Sequence, residues 1–309
     1  MLTVKISDGL GNQLFQIFTA MASAFDFKTK FIIENVSTIS GTRQVLYWDT
    51  ILSNLKLFIR DPLPAANIIR EQTYHYTSLH QLPLQYHPSN TQKNHDCLKL
   101  VGYFQSYKYF HHQIGTILKF LKLDAKRQQL VAKMENVNNA VSMHFRLGDY
   151  KTLQEYHVIL PVAYYLNALE AVAVQSHKRN WLVYYFCEAD DADLVNPMIE
   201  QLQLAFPNMV FTKVSDTYAD WEQVLIMSAC KHNIIANSTF SWWGAYLNVV
   251  LNNPNCDPNN MTIPSSESDR SYPIVCYPNR WFGPKFKHKK VDDLFFNWWT
   301  KVLCENACE

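Results

Sequence analysis

The chain of 309 residues is long enough for two domains of ordinary size, which run to roughly 100–200 residues each. Hydrophobic residues make up 48% of it and charged residues 18%, so the chain can bury a large core and does not belong to the disordered class. Lysine and arginine number 28 against 27 aspartates and glutamates, and this balance excludes the basic surplus that marks nucleic-acid-binding and membrane-surface proteins.

Membrane insertion and secretion are not expected either. No apolar run reaches the length of about 18 residues that a membrane helix needs, and the first residues lack the charged and apolar regions of a signal peptide. The seven cysteines are odd in number and mostly widely spaced, which is typical of reduced thiols and not of a disulfide framework. The sequence therefore predicts a cytoplasmic protein without a membrane span.

The first half of the chain opens with a strand, a glycine turn and a helix. Residues 2–7 alternate as a strand does, and residues 14–25 place apolar side chains at helical spacing. Between them, Gly9 and Gly11 permit a tight turn and the close approach of a ligand. The three-glycine dinucleotide fingerprint and the P-loop spacing are absent. The turn either only connects strand and helix or takes part in binding.

The remainder of the first half is less regular. Short strands are predicted at 31–34 and 98–104, followed by a partly exposed helical segment at 111–136. Residues 40–100 show little periodicity, and a long irregular stretch of this kind is where acceptor-binding loops are expected.

The second half alternates strands and helices regularly, which indicates a parallel sheet with helices on both faces. Strands are predicted at 139–144, 181–187, 209–212, 233–236 and 274–277, and helices near 161–176, 191–205, 218–229 and 239–250. The predicted domains are residues 1–138, residues 139–285 and a C-terminal helix within 286–309.

Three polar clusters, at 144–150, 187–191 and 237–241, follow predicted strands of the second half. In a parallel sheet all three fall at one edge, where ligands of α/β proteins bind. The guanidinium of Arg146, close to backbone N–H groups, suits an anionic ligand such as a nucleotide diphosphate. No H-E-x-x-H motif or paired C-x-x-C motif is present, so Arg146 and helix N-termini, not a metal, would neutralise a leaving group.

Each cluster also has a purely structural interpretation. Ser238 or Thr239 could donate to a phosphate or could only cap a helix. Asp190 and Asp191 could accept hydrogen bonds from a ribose or a base, or could simply begin a helix, where carboxylates are favoured. His144 could be an ordinary histidine at a strand end.

Five spaced motifs resolve part of this choice. They are GLGNQLFQ (Gly9 to Gln16), GYFQSYKYF (Gly102 to Phe110), HFRLGDY (His144 to Tyr150), KHNIIANSTFSWWGAYL (Lys231 to Leu247) and PNRWF (Pro278 to Phe282). In this order, and over nearly the whole chain, they resemble the α-1,2-fucosyltransferases of glycosyltransferase family 11.

The resemblance implies a GT-B-like α/β fold, in which two Rossmann-like domains face a cleft with the acceptor expected on the N-terminal domain and the donor on the C-terminal one. It implies inverting transfer of L-fucose from GDP-L-fucose to an acceptor glycan or glycoconjugate, at the 2-OH of galactose, without a metal or other cofactor. A transferase for another GDP-deoxyhexose such as GDP-rhamnose, and a non-catalytic glycan-binding protein, are the alternatives.

The expected site follows from the motifs and the polar clusters together. Arg146 is the expected diphosphate ligand and Asn12 is expected to face the donor across the cleft, so these two are the predicted catalytic residues. The predicted donor-binding residues are Gly9, Gly11, His144, Arg146, Gly148, Asp149, Asp190, Asp191, Asn237, Ser238, Thr239 and Phe240. The general base is not singled out, and its candidates are Asp8, Glu155 and His157.

Two positions depart from the family pattern. Leu147 stands where many members carry a second arginine. The F-S-D-D segment of many members is replaced by residues 186–191, and the alignment slips by one or two positions there, so the resemblance does not assign the family carboxylate to one residue of this segment.

Overall fold

A computed structural model describes residues 1–36, 38–41, 45–62, 67–85, 97–253, 255–257 and 272–305. Parts of the predicted acceptor-loop region at 40–100, and the end of the 286–309 segment, lie outside the described residues. The chain divides into two compact units, which we call unit 1 (Met1–Asp124 and Lys290–Phe295) and unit 2 (Ala125–Lys289 and Phe296–Glu309).

Unit 1 is built on a four-stranded sheet. Its strands are β1 (Leu2–Val4), β2 (Ile33–Glu34), β3 (Ile59–Arg60), β4 (Asn67–Arg70), β5 (Leu84–Gln85) and β6 (Leu98–Val101), and its helices are α1 (Leu10–Asp26), α2 (Ile114–Leu121) and the start of α3 (Leu123–Val131). The sheet order is β1-β6-β4-β5, parallel except for β5, and β2 pairs separately with β3. The apolar positions of α1 recur at helical spacing, and its buried Phe15 and Phe18 contact Phe110 with ring centroids 5.9 and 5.6 Å apart.

Unit 2 carries a six-stranded sheet in which every strand is parallel to its neighbours. Its strands are β7 (Ala140–His144), β8 (Leu182–Phe186), β9 (Val210–Lys213), β10 (His232–Ile234), β11 (Val275–Pro278) and β12 (Thr300–Val302), and its further helices are α4 (Val162–Gln175), α5 (Ala192–Ala205), α6 (Asp220–Met227) and α7 (Thr239–Asn252). The order β12-β11-β10-β7-β8-β9 is that of a Rossmann sheet, whose first and fourth strands lie side by side. The strand order therefore reverses between β7 and β10.

Alternate residues of β7 show that helices cover both faces of this sheet. Val141 and Met143 are fully buried in the core that includes side chains of α4. Ser142 points the other way and accepts a 2.7 Å hydrogen bond from Asn233 of β10, and Asn248 of α7 donates to Asn233 at 2.7 Å. Because a strand's side chains alternate, these two sets mark opposite faces. The predicted α/β class, with two units built on largely parallel sheets, is confirmed.

The predicted C-terminal helix within 286–309 does not form in the described part of the chain. Residues Thr300–Val302 form β12 instead, paired with β11. Val302 and Cys304 are buried while Leu303 between them is exposed, which is the two-residue period of a strand. Parallel pairing with β11 therefore outweighs the apolar spacing that predicts a helix.

The structure also divides the chain earlier than residue 138. Arg127 of α3 is buried and donates hydrogen bonds to the backbone oxygen of Ser228 (3.3 Å) and the side chain of Asn252 (3.2 Å), both in unit 2. Near the other end, the segment Lys290–Phe295 belongs to unit 1, where Asp293 pairs with Lys108. Within the described residues, no helix has the length and apolar character needed to cross a membrane.

Candidate active site

The candidate site lies in unit 2, where the strand order of the sheet reverses. Strands β7 and β10 are parallel neighbours, and the chain leaves both at the same edge of the sheet. Arg146 follows β7, and the segment Asn237–Phe240 follows β10 and begins α7. The crevice at such a point is where open α/β sheets bind ligands. The topology thus brings together two polar clusters that are far apart in the sequence.

Arg146 is held by two carboxylates. Its Nη1 donates to Glu188 Oε1 at 2.8 Å, and its Nη2 pairs with Asp149. Its Cζ atom lies 5.0 Å from the centroid of the Tyr150 ring, within cation–π range. The side chain is 18% exposed, so the guanidinium is both fixed in place and open to solvent. A diphosphate bound here would accept hydrogen bonds that the two carboxylates now accept.

Residues 145–150, which we call the Arg146 loop, turn at Gly148, which has a φ of +40°. A Cβ atom there would lie 3.2 Å from Arg146 Nη1 and 3.4 Å from the Glu188 carboxylate, so both the backbone conformation and the available space favour glycine. The Gly148 N–H donates to Asp191 at 3.0 Å, and Lys151 pairs with the same carboxylate at 2.7 Å. Asp191 is 1% exposed, and through these two contacts its buried carboxylate holds the loop in place.

The segment after β10 is fixed by its first two residues. Asn237 Nδ2 donates to the backbone oxygens of Val158 (3.0 Å) and Trp281 (3.1 Å). Ser238 is the N-cap of α7, and its Oγ accepts from the Phe240 N–H at 3.3 Å. The structural interpretation of Ser238 therefore holds, although a capped helix N-terminus also attracts anions.

Direct contacts join the two segments. The rings of His144 and Phe240 lie 5.3 Å apart, and the Tyr150 hydroxyl donates to the Asn237 backbone oxygen at 3.0 Å. Thr239 is the first residue of α7. The structure thus groups the predicted residues of unit 2 at one edge. Asp190 is the exposed member of this group, and its backbone oxygen accepts from Lys151 at 3.3 Å.

The predicted site residues of the first half belong to unit 1. Gly9 is the N-cap of α1 with an ordinary φ of −75°, and Gly11 lies in the first helical turn. The left-handed residue of this turn is Asp8, with φ 63°, so the turn depends on an aspartate and not on its glycines. Asn12 Oδ1 accepts from Gln105 Nε2 at 2.9 Å.

The three candidate bases have different surroundings. The Asp8 carboxylate accepts from the Tyr103 hydroxyl in unit 1. Glu155 is exposed and pairs with Lys285 at 2.5 Å. His157 stacks on Tyr150 at 4.6 Å, and burial lowers the pKa of its imidazole below the usual 6.5, which keeps it neutral and able to accept a proton at neutral pH.

Sequence reasoning did not single out Glu188 and Tyr150, which both contact Arg146. The signal for Glu188 was its place two residues after the end of β8, the strand that pairs with β7, since Arg146 lies two residues after the end of β7. The signal for Tyr150 was its place at the end of the HFRLGDY motif. Leu147 is 2% exposed and packs in the core, so no second guanidinium stands at that position.

Comparisons with known proteins show which sequences this chain is similar to. The model of the family described as Glycosyl transferase family 11 matches residues 1–262. An O-antigen biosynthesis glycosyltransferase WbnK of Escherichia coli is 31% identical over 163 residues, and the match covers 52% of this chain but only 44% of that protein.

Two further relatives match at greater length. An alpha-1,2-colitosyltransferase of Escherichia coli is 22% identical over 80% of this chain and 87% of its own. A galactoside 2-alpha-L-fucosyltransferase of Caenorhabditis elegans is 24% identical over 80% of this chain and 69% of its own. Among solved structures, an Arabidopsis thaliana FUT1 mutant in complex with GDP aligns with 80% of this chain and 68% of that one, at 9% identity and a TM-score of 0.42.

Proposed function

The chain belongs to glycosyl transferase family 11, and on that premise we propose that it moves L-fucose from GDP-L-fucose to the 2-OH of a galactose in an acceptor glycan. The observation that carries the proposal is that Arg146 follows β7 and α7 begins after β10, the two neighbouring strands between which the strand order reverses. The names of the two long-matching relatives, one for fucose and one for colitose transfer, support the sugar class.

The chemistry assigned to this edge is stabilisation of a leaving group. The acceptor oxygen attacks the anomeric carbon of fucose from the side opposite the diphosphate, the bond from that carbon to the diphosphate oxygen breaks, and the configuration inverts. Negative charge grows on the departing GDP, and we assign its stabilisation to the guanidinium of Arg146 and the N–H groups at the start of α7. Fixed charges of this kind need no metal, and we propose that the reaction proceeds without one.

The acceptor hydroxyl must lose a proton during the attack. Of the three candidate bases, His157 lies against the Arg146 loop through its stack on Tyr150, and its lowered pKa provides the neutral imidazole that the role requires. Asp8 and Glu155 stay candidates on the sequence alone.

Colitose is the second candidate for the transferred sugar. A relative that matches over 80% of this chain carries that activity in its name. In addition, many family members have a second arginine where this chain has Leu147, whose side chain is buried in the core. A change so close to Arg146 is where a difference in donor preference would arise. A panel of GDP-colitose, GDP-rhamnose and GDP-L-fucose separates the candidates.

The test is a transfer assay with the purified chain, GDP-L-fucose and a β-galactoside, run with and without EDTA. We expect GDP release, an α-linked fucose on the galactose 2-OH by NMR, and the same rate in EDTA. Turnover with another GDP-sugar and none with GDP-L-fucose would contradict the donor assignment. Glycan binding without turnover of any GDP-sugar would identify a non-catalytic binding protein, and loss of activity in EDTA would contradict metal independence.

A further inference from the structure

We propose that Tyr150 is a positioning residue that holds the Arg146 loop and the segment Asn237–Phe240 in register, so that Arg146 and the N-terminus of α7 act on the same diphosphate. The inference rests on the proposed GDP-sugar donor and adds to it a residue that the chemistry does not itself require. The Tyr150 hydroxyl is bonded to a backbone oxygen, and we assign it no part in the transfer itself. Its contacts, however, reach both halves of the candidate site.

The Tyr150 ring contacts the side chain of Arg146. The Arg146 Cζ atom lies 5.0 Å from the ring centroid, so the guanidinium packs against the ring while its nitrogens pair with Glu188 and Asp149. An arginine held on an aromatic face and by two carboxylates has little freedom to rotate. The direction in which it presents its N–H groups therefore depends on where the ring lies.

The opposite side of the ring is closed by a second aromatic layer. His157 stacks on Tyr150 with ring centroids 4.6 Å apart and planes 15° from parallel. The rings of Phe282 and Phe286 in turn lie 6.0 and 6.3 Å from the His157 ring, measured between centroids. Tyr150 is buried between these layers, and displacement of its ring would require several side chains to repack.

The hydroxyl of Tyr150 reaches the other segment. It donates to the backbone oxygen of Asn237 at 3.0 Å, one residue before Ser238, which caps α7. Asn237 is already tied through its side chain to Val158 and Trp281, so this hydrogen bond adds a constraint from the side of the Arg146 loop. Burial raises the pKa of Tyr150 to about 12, so its hydroxyl stays a donor throughout the neutral range.

The experiment compares Tyr150→Phe with Tyr164→Phe. Tyr164 is a matched control because it is fully buried in the same unit and its hydroxyl also donates to backbone oxygens, of Ile235 at 2.5 Å and Cys276 at 3.2 Å. Both variants lose a buried phenolic hydrogen bond, and both should melt at a lower temperature. GDP affinity is measured by calorimetry, and the donor and acceptor KM values are measured separately.

We expect Tyr150→Phe to weaken GDP binding and to raise the donor KM about 10-fold, the change that one buried hydrogen bond supports. The acceptor KM should stay the same, and Tyr164→Phe should bind GDP as the wild type does. Equal GDP affinity in Tyr150→Phe and wild type, or an equal loss in Tyr164→Phe, would overturn the proposal.

A double-mutant cycle tests the coupling itself. In the wild-type background, the effects of Arg146→Lys and Ser238→Ala on GDP affinity should be non-additive, because Tyr150 connects their segments. In the Tyr150→Phe background the same two effects should add, and persistent coupling would contradict the proposal. A wild-type protein that binds no GDP would contradict the proposed function and this inference with it. Normal GDP binding with an unaffected Tyr150→Phe would contradict the inference alone.

Discussion

Two turns occupy the same place in their units and use their polar side chains differently. In unit 1, β1 is followed by a turn and the start of α1, residues 8–16, which we call the first turn; in unit 2, β7 is followed by the turn of residues 145–150. In the first, Gln16 accepts from the Ser7 N–H at 3.0 Å and donates to the Gly102 oxygen at 3.2 Å, while Gln13 donates to the oxygens of Asp8 and Val45 at 2.8 and 2.7 Å. Both glutamines are fully buried.

The second turn has charged groups where the first has amides. Arg146 is partly exposed, and it donates hydrogen bonds to the carboxylates of Glu188 and Asp149. An amide bonded to buried backbone groups cannot be released without leaving them unpaired, whereas a guanidinium can exchange one anion for another. Polar residues in a sequence motif can therefore serve stability and not ligand binding. We expect mutations in the two turns to have different consequences.

The largest effect is expected at Arg146. Replacing it with alanine removes a preorganised donor at the leaving group, which typically costs on the order of 10²–10³ in rate. Turnover of GDP-L-fucose should fall by this factor while the melting temperature changes little. Arg179→Ala is the control, because Arg179 is exposed and pairs only at the surface of unit 2, with Glu170 at 2.6 and 3.0 Å; its loss should leave turnover unchanged.

A smaller and different effect is expected at Gln16. Gln16→Leu leaves the Ser7 N–H and the Gly102 oxygen without their partner, and should lower the free energy of unfolding by about 2–4 kcal/mol in urea denaturation. GDP affinity of the folded variant should stay within about threefold, a difference below 1 kcal/mol. The exposed Gln81→Leu in the same unit is the control and should change stability by less than about 0.5 kcal/mol. Reduced GDP affinity in a fully folded Gln16→Leu would contradict the purely structural role expected for this glutamine.

The position of the candidate site could be predicted from the sequence because it depends on topology. Regular alternation of strands and helices predicted a parallel sheet, and a parallel sheet brings the residues after its strands to one edge. This was enough to place Arg146 near Ser238 without knowledge of any contact. The roles of the individual residues stay predictions.

Features that depend on single contacts could not be predicted in this way. The pairing of Arg146 with Glu188 depends on where β8 ends, and a shift of two residues decides between Glu188 and Asp190. The strand β12 has only three residues and follows an aromatic stretch that also fits a helix. Asp8 adopts the left-handed backbone conformation, although the next residue, Gly9, is of the type that adopts it most readily. In each case a tertiary contact outweighs the local pattern.

We propose that the sheet edge at β7 and β10 recognises a nucleotide diphosphate through Arg146. The most direct measurement is the ratio of the affinities for GDP and guanosine, determined by calorimetry for the wild type and for Arg146→Ala. We predict that the wild type prefers GDP strongly, and that the ratio falls at least about 100-fold in the variant, a loss of roughly 2.7 kcal/mol. An unchanged ratio in folded Arg146→Ala would contradict the claim, because the diphosphate would then be bound elsewhere.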